Sequence, residues 1–362
     1  MNILERAMYF FLFVLAKHTE INFLNNILNW FENKLQKKYL VRSFIRPSPI
    51  PTINAQDLTD EKFRMLTNNY RNPVLIKGYM ETTNAVKKWD DIYLNEIIKD
   101  FRINTVKYID KFEIDNISFS DYINRMKNEH LYINNNHTIM ANFPQLFEDI
   151  QPNFTNLLNT LKSCNLGSIH IANLFIGFDN KNKKCTGSNM HCGGSGNFFC
   201  MLHGKKHWTL IDPEYSYLLK GRVAETGIHA QSLFDMLDTD LDKVPLIFNY
   251  LPRYEVVLEA GDVLYNPPWW WHRIRNHQGL SIAMAIRNNK VTKLNLLNNF
   301  TYTLSGYKYL LYNTFVITIY EKFLGGHNNF TTSKTESDKS NVLFEIEKLV
   351  KKYPTSLDIS TM

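Results

Sequence analysis

His191 stands two residues before Gly193 in Met190-His191-Cys192-Gly193, and about eighty residues later Pro267-Pro268-Trp269-Trp270-Trp271 leads into His272. On a strand, residues i and i+2 share a face, so His191 and position 193 point one way and Cys192 the other. The sequence around and between the two histidines reads largely as strands. Ile169–Phe178, Asn197–Leu202, His207–Ile211, Tyr254–Leu258, Val263–Tyr265, Trp270–Arg275 and Leu280–Ile286 are rich in β-branched and aromatic residues. Gly204, Gly261-Asp262 and Gln278-Gly279 punctuate them as turns. Short strands at this spacing predict a sandwich or barrel.

The flanks read differently. A chain of 362 residues can hold one large domain with helical additions, and 14% aromatics suits a barrel with large inward side chains. The apolar run Met8–Ala16 is too short to span a bilayer as a helix, which needs about 20 residues. Glu5 and Arg6 cancel ahead of it, and no small-x-small cleavage site follows, which disfavours a secretory signal. With Ile21, Phe23, Leu24, Ile27, Leu28, Trp30 and Phe31 continuing at helical spacing, residues 8–31 read as a packed or membrane-surface helical pair. Pro47-Ser48-Pro49-Ile50-Pro51 reads as a linker.

Strand and helix signals then alternate to about residue 165. Pro73–Tyr79 is a strand running into a turn, Trp89 opens a charged helix, Ser118 or Ser120 caps another, and a further helix follows Pro144. Past residue 290, Leu294–Leu324 is expected to be helical up to Gly325-Gly326. A polar stretch, Asn328–Ser340, and a last helix, Val342–Lys352, follow. The division is 1–51 (helices and linker), 52–290 (with the barrel core at about 166–290) and 291–362 (helical extension).

The net charge of +6 is dispersed and contains no dense basic run, so nucleic-acid binding is not expected. Cys164, Cys185, Cys192 and Cys200 form no CxxC pair. Free buried thiols and a cytoplasmic location are the expectation.

A His-x-Asp pair with one distant His is the facial triad of non-haem iron oxygenases. Around His191 and His272 the sequence resembles the Jumonji C / cupin-type family of Fe(II)- and 2-oxoglutarate-dependent oxygenases. Thr186-Gly187-Ser188-Asn189-Met190-His191, the segment Asn197–Pro213 containing Leu202-His203-Gly204-Lys205-Lys206, and the segment Leu258–His272 carry the likeness, in order, over roughly residues 60–290. The resemblance implies a mainly β fold with flanking helices, a double-stranded β-helix (cupin or jelly roll).

It also implies that His191 and His272 bind Fe(II). Lys206 would pair with the distal carboxylate of 2-oxoglutarate, with Asn197 and Ser188 beside the cosubstrate. A single ammonium suits a single carboxylate. No catalytic residue beyond the metal site is assigned. Trp269-Trp270-Trp271 is expected to pack the barrel and Asp262 to form a turn. A homodimer through the C-terminal helices is a further implication of the resemblance.

The departure is Gly193, where the family pattern has its carboxylate. Ferrous iron, dianionic 2-oxoglutarate and one aspartate carry a single net negative charge; without the aspartate the sum is zero and a position stands open. In the halogenase branch of such enzymes a Gly or Ala there admits a halide. Three readings follow. One is an iron/2-oxoglutarate oxidoreductase, hydroxylating or halogenating with chloride, whose substrate is a small molecule or a protein side chain. The second is a binding protein that kept the barrel and lost the chemistry. The third is a two-histidine site for a structural metal such as zinc. The segments expected to select a substrate, 79–140 and 214–250, contain no recognisable motif.

Overall fold

The computed structural model describes residues 3–19, 21–40, 43–108, 112–161, 170–180, 186–224, 229–234, 246–288 and 293–305. Two helices come first, α1 (Ile3–Thr19) and α2 (Asn22–Tyr39). Then follow β1 (Thr52–Asn54), α3 (Asp60–Leu66), β2 (Val74–Lys77), α4 (Asn84–Lys88), α5 (Asp91–Ile98), β3 (Arg102–Tyr108), β4 (Phe112–Ser118), α6 (Phe119–Glu129) and β5 (Leu131–Asn136). Three short helices, α7 (Thr138–Asn142), α8 (Pro144–Asp149) and α9 (Asn153–Thr160), lead to the barrel. Its strands are β6 (His170–Asp179), β7 (Gly187–Gly193), β8 (Asn197–His203), β9 (Lys205–Ile211), β10 (Gly221–Val223), β11 (His229–Ser232), β12 (Tyr254–Glu259), β13 (Val263–Asn266), β14 (Trp271–Asn276) and β15 (Gly279–Asn288). The described chain closes with α10 (Lys293–Asn298) and α11 (Phe300–Ser305).

These strands form two sheets, β1-β2-β13-β8-β15-β6-β5-β3-β4 and β10-β11-β7-β14-β9-β12. Within them β13-β8-β15-β6 faces β12-β9-β14-β7, the four-on-four pairing of a jelly roll. Alternation along β8 shows why the sequence reads as continuously apolar there. Phe199 and Met201 turn into the barrel with Trp208, Leu210, Leu264, Ala283 and Ala285. Phe198, Cys200 and Leu202 turn outward under the helices α3 to α9. A sheet covered on both faces has no polar side to show. The β8–β9 turn needs its glycine: Gly204 has φ +71, and a Cβ there would lie 2.1 Å from Leu280 O.

The smaller sheet is covered by α1 and α2. Tyr9, Phe13, Ala16, Leu28, Phe31, Leu35 and Tyr39 recur at three- and four-residue intervals and pack with Met190, Cys192, Trp269, Trp271 and Tyr302. Glu32 is fully buried there in a two-pronged ion pair with Arg222, both N···O distances being 2.9 Å. No described helix is long and apolar enough to cross a membrane.

Several expectations meet their detail here. Ser118, not Ser120, caps α6 by accepting from Asp121 N. Trp89 does not open a helix: it ends α4, and Asp90 caps α5 by accepting from Tyr93 N. The segment at Pro47–Pro51 runs along β12, with Ser48 bridging Tyr254 and Ile50 buried at 7% exposure. The antiparallel β3–β4 hairpin, which the mixed signals of that region left unplaced, extends the large sheet through β5. Cys192 and Cys200 are buried free thiols, while Cys164 and Cys185 lie outside the described residues. Of the helical stretch expected over Leu294–Leu324, two short helices, α10 and α11, cover 293–305; its remainder from 306 with Gly325-Gly326, the polar stretch Asn328–Ser340, the helix at Val342–Lys352 and any dimer contact made there lie outside the described residues.

Candidate metal centre

β7 and β14 run antiparallel with His191 directly opposite His272. The two rings meet at a centroid distance of 4.1 Å and an interplanar angle of 55°. Each turns one nitrogen back onto its own strand: His191 Nδ1 lies 2.7 Å from Asn189 O, and His272 Nδ1 lies 2.8 Å from Trp270 O. A carbonyl only accepts, so Nδ1 carries the hydrogen on both rings and Nε2 keeps its lone pair. Burial lowers both pKa values, that of His191 to about 4 and that of His272 well below its usual range, so both rings stay neutral. Neutral, oriented imidazoles with free Nε2 atoms are what a divalent metal requires of its histidines.

Three neighbours fix His272. Trp208 stacks on it at 5.2 Å and 17°. Pro267-Pro268 and the tryptophan run set the approach, with Trp269, Trp270 and Trp271 Nε1 donating to Thr303 Oγ1, Arg71 O and Ser216 Oγ. Asn266 brings Nδ2 within 3.2 Å of His272 Nδ1, while its own Oδ1 has no partner. Turning that amide end for end sets Oδ1, an acceptor, beside the ring N–H that Trp270 O already receives.

Gly193 ends β7 on the same face as His191 and offers no donor side chain. Among the described residues no three His, Cys, Asp or Glu side chains stand together as a metal-ligand set. The donors present are thus the two imidazoles, which fit one edge of a metal's coordination shell and leave the remaining positions for water and small ligands. Asp262 is a turn former: its carboxylate accepts from Gly78 N and Glu259 N and pairs with Lys77 at 2.9 Å.

At the other end of the barrel lies Lys206, fully buried. Leu210 faces His272 across the β9–β14 ladder and Lys206 faces Asn276, four residues farther along. That is roughly 13 Å of strand, which an extended lysine side chain and a five-carbon dicarboxylate can bridge together. Lys206 Nζ donates to Asn276 Oδ1 and, at 3.2 Å, to Ser281 Oγ, and lies 5.3 Å from the centre of the Tyr132 ring. Asn276 Nδ2 in turn donates to Thr186 Oγ1 at 2.6 Å, and Thr186 Oγ1 to Asp179 Oδ1 at 2.7 Å. No carboxylate touches the ammonium directly; burial lowers its pKa to about 7, with Asp179 opposing at longer range. The pocket depends on Gly177, where a Cβ would lie 2.5 Å from Asn276 Nδ2 and 2.8 Å from Tyr132 Cδ2.

Ser188 is buried on the inner face opposite Ile274, and Asn197 lies opposite both Asn266 and Arg287 with Oδ1 unpartnered. The fold therefore sets His191 against His272, with Asn197 level with Asn266 beside them and Lys206 at the far end. Sequence reading missed Asn276, Thr186, Asp179, Tyr132, His229 and Arg287. The signal was there for two of them: Asn276 and Arg287 are polar residues at inward positions of β14 and β15.

The cupin-like domain family matches residues 60–286, and the chain belongs to that family. It is similar to JmjC domain-containing protein A of Dictyostelium discoideum, 24% identical over 240 residues that cover 62% of this chain and 90% of that protein. JmjC domain-containing protein D of the same organism is 25% identical over 272 residues, 67% of this chain but 55% of that protein, so the match spans little more than half of its length. A shorter stretch of 81 residues is 40% identical to tRNA wybutosine-synthesizing protein 5 of Mus musculus, covering 22% of this chain and 23% of that one. A mainly β jelly roll with flanking helices and JmjC-containing relatives place the chain in the JmjC/cupin class.

Proposed function

We propose that this protein is an Fe(II)- and 2-oxoglutarate-dependent oxidoreductase of the JmjC/cupin type. The observation that carries the reading is the His191–His272 pair, 4.1 Å between centroids with both Nδ1 atoms tied to backbone carbonyls. These two rings would hold the metal, and Lys206 would take the distal carboxylate of 2-oxoglutarate, with Asn197 and Ser188 alongside. Bound there, ferrous iron with 2-oxoglutarate supplies oxygen activation, the step that no side chain provides. The chain's own part is positional. Asn189 O and Trp270 O fix the imidazole tautomers, Trp208 fixes the plane of His272, and the Asn276–Thr186–Asp179 relay holds Lys206 at the closed end.

Gly193 decides what such a site does next. With no carboxylate, water in its place supports hydroxylation and a halide supports halogenation. The test is consumption of 2-oxoglutarate by iron-loaded protein, with and without chloride and bromide. Turnover stimulated by halide supports the halogenating form; halide-independent turnover supports the hydroxylating form. A second reading, a barrel that binds without reacting, is favoured by the missing third ligand. It predicts no 2-oxoglutarate consumption under any of these conditions, together with retained binding of 2-oxoglutarate at Lys206.

A further inference from the structure

The barrel mouth contains a charge that the proposed chemistry leaves unused. Arg287 is on β15, whose residues Ser281, Ala283 and Ala285 turn into the barrel, and it continues that inward row opposite Asn197. Its guanidinium carbon lies 5.8 Å from the centre of the Phe175 ring. Its field reaches three imidazoles, His191, His272 and His229. No carboxylate or hydrogen-bond acceptor among the described residues meets the guanidinium, and burial alone pushes its pKa down to about 10. His229 stands on β11 directly opposite Gly193. The surroundings of Gly193 therefore hold basic side chains, and one of them is a partly buried cation that no carboxylate among the described residues meets. Such a charge is well placed to receive an anionic ligand.

Two features select the kind of ligand. A guanidinium is a planar fork matched to the two oxygens of a carboxylate or phosphate, whereas a halide presents a single point. Opposite it, Asn197 Oδ1 is a buried acceptor with no donor. Position also matters. Lys206 contacts Ser281, and Arg287 lies six residues farther along the same strand, roughly 20 Å of backbone.

We propose that Arg287 anchors the substrate through an oxyanion, a carboxylate or phosphate group that carries a hydrogen-bond donor beside it for Asn197. Calling that ligand the substrate rests on the oxygenase reading; the binding itself does not, because it is read on metal-free protein. The experiment titrates the metal-free full chain with acetate, inorganic phosphate and bromide at constant ionic strength, using ligand-detected NMR. Wild type, Arg287→Gln and Arg287→Lys are compared, with 2-oxoglutarate titrated separately.

The expected result is saturable binding of acetate or phosphate, weakened about tenfold or more in Arg287→Gln and less in Arg287→Lys, with 2-oxoglutarate affinity changed less than twofold. Preference for acetate identifies a carboxylate substrate, and preference for phosphate a phosphorylated one. A cooperative melting transition within about a few degrees of wild type shows that Arg287→Gln is folded. Equal oxyanion affinity in wild type and Arg287→Gln overturns the proposal. So does bromide binding as tightly as either oxyanion, or a loss of 2-oxoglutarate affinity equal to the loss for acetate, which would make Arg287 a cosubstrate clamp. Failure of the oxygenase reading shows separately, as metal affinity unchanged by His191→Ala.

Discussion

Lys206 is a lysine whose charge depends on what lies beside it. Its folded-state pKa is about 7 because of burial, against an ordinary value of 10.5. Between those two values the unfolded chain holds a proton that the folded chain has lost, so this group makes the ligand-free protein more stable as pH rises from about 7 toward 10. A carboxylate placed against Nζ restores the charge. Binding of 2-oxoglutarate at pH 8 should therefore take up close to one proton, measured by calorimetry in buffers of different ionisation enthalpy. In Lys206→Met the uptake should vanish and the affinity should fall by about tenfold to a hundredfold; equal affinity and equal uptake in both proteins would remove Lys206 from the cosubstrate site. The family resemblance singled out this residue in the sequence, and alternation with Leu210 and Trp208 along β9 is what carries it inward. Its surroundings were not legible there. Asn276 and Asp179 come from two other strands and Thr186 from the residue just before β7, and nothing local in the chain announces which strand pairs with which.

At the scale of elements, β7 and β14 make the site by their register. His191 and His272 were recognisable from their flanking motifs, but His229 was not, since its partnership with Gly193 arises only when β11, some forty residues later, adds to the edge of β7. Gly193→Asp restores a carboxylate to the face of His191. Cobalt(II) affinity measured by spectroscopic titration should rise by about tenfold or more; no gain would mean that the backbone at 193 no longer faces the imidazoles.

The α1–α2 hairpin provides a separate test. Its apolar spacing predicted a packed or membrane-surface pair, and the folded chain packs one side of it on the small sheet while Phe11, Phe23 and Trp30 stay exposed. The spacing did not reveal the fully buried Glu32, because its partner Arg222 is 190 residues away. Glu32→Ala leaves Arg222 half-buried and unpaired and should cost about 3 kcal/mol, read as a lower denaturation midpoint. The double substitution Glu32→Met with Arg222→Met should recover much of that loss. A single variant as stable as wild type would show that the hairpin is not held by this pair.

Taken as one molecule, the chain is a jelly roll with its larger sheet shielded by α3–α9 and its smaller sheet by α1, α2 and α11, leaving a polar lane through an otherwise apolar barrel. Most barrel strands could be located along the chain because turns and β-branched runs alternate so regularly after residue 166, though β10 and β11 were not among them. The helical cover was only partly legible, since amphipathic helices of five to eight residues, such as α4 and α7–α9, give too few turns for a clear period. The lane carries Lys206 at its closed end, two neutral imidazoles farther along and Arg287 at the mouth.

The most direct test of the two-imidazole site is an anaerobic titration of the metal-free protein with Fe(II) in the presence of 2-oxoglutarate, following the visible metal-to-ligand charge-transfer absorption. The predicted result is a band that saturates at one iron per chain and is lost in both His191→Ala and His272→Ala. A flat titration in the wild type, or a band that survives both substitutions, would contradict it.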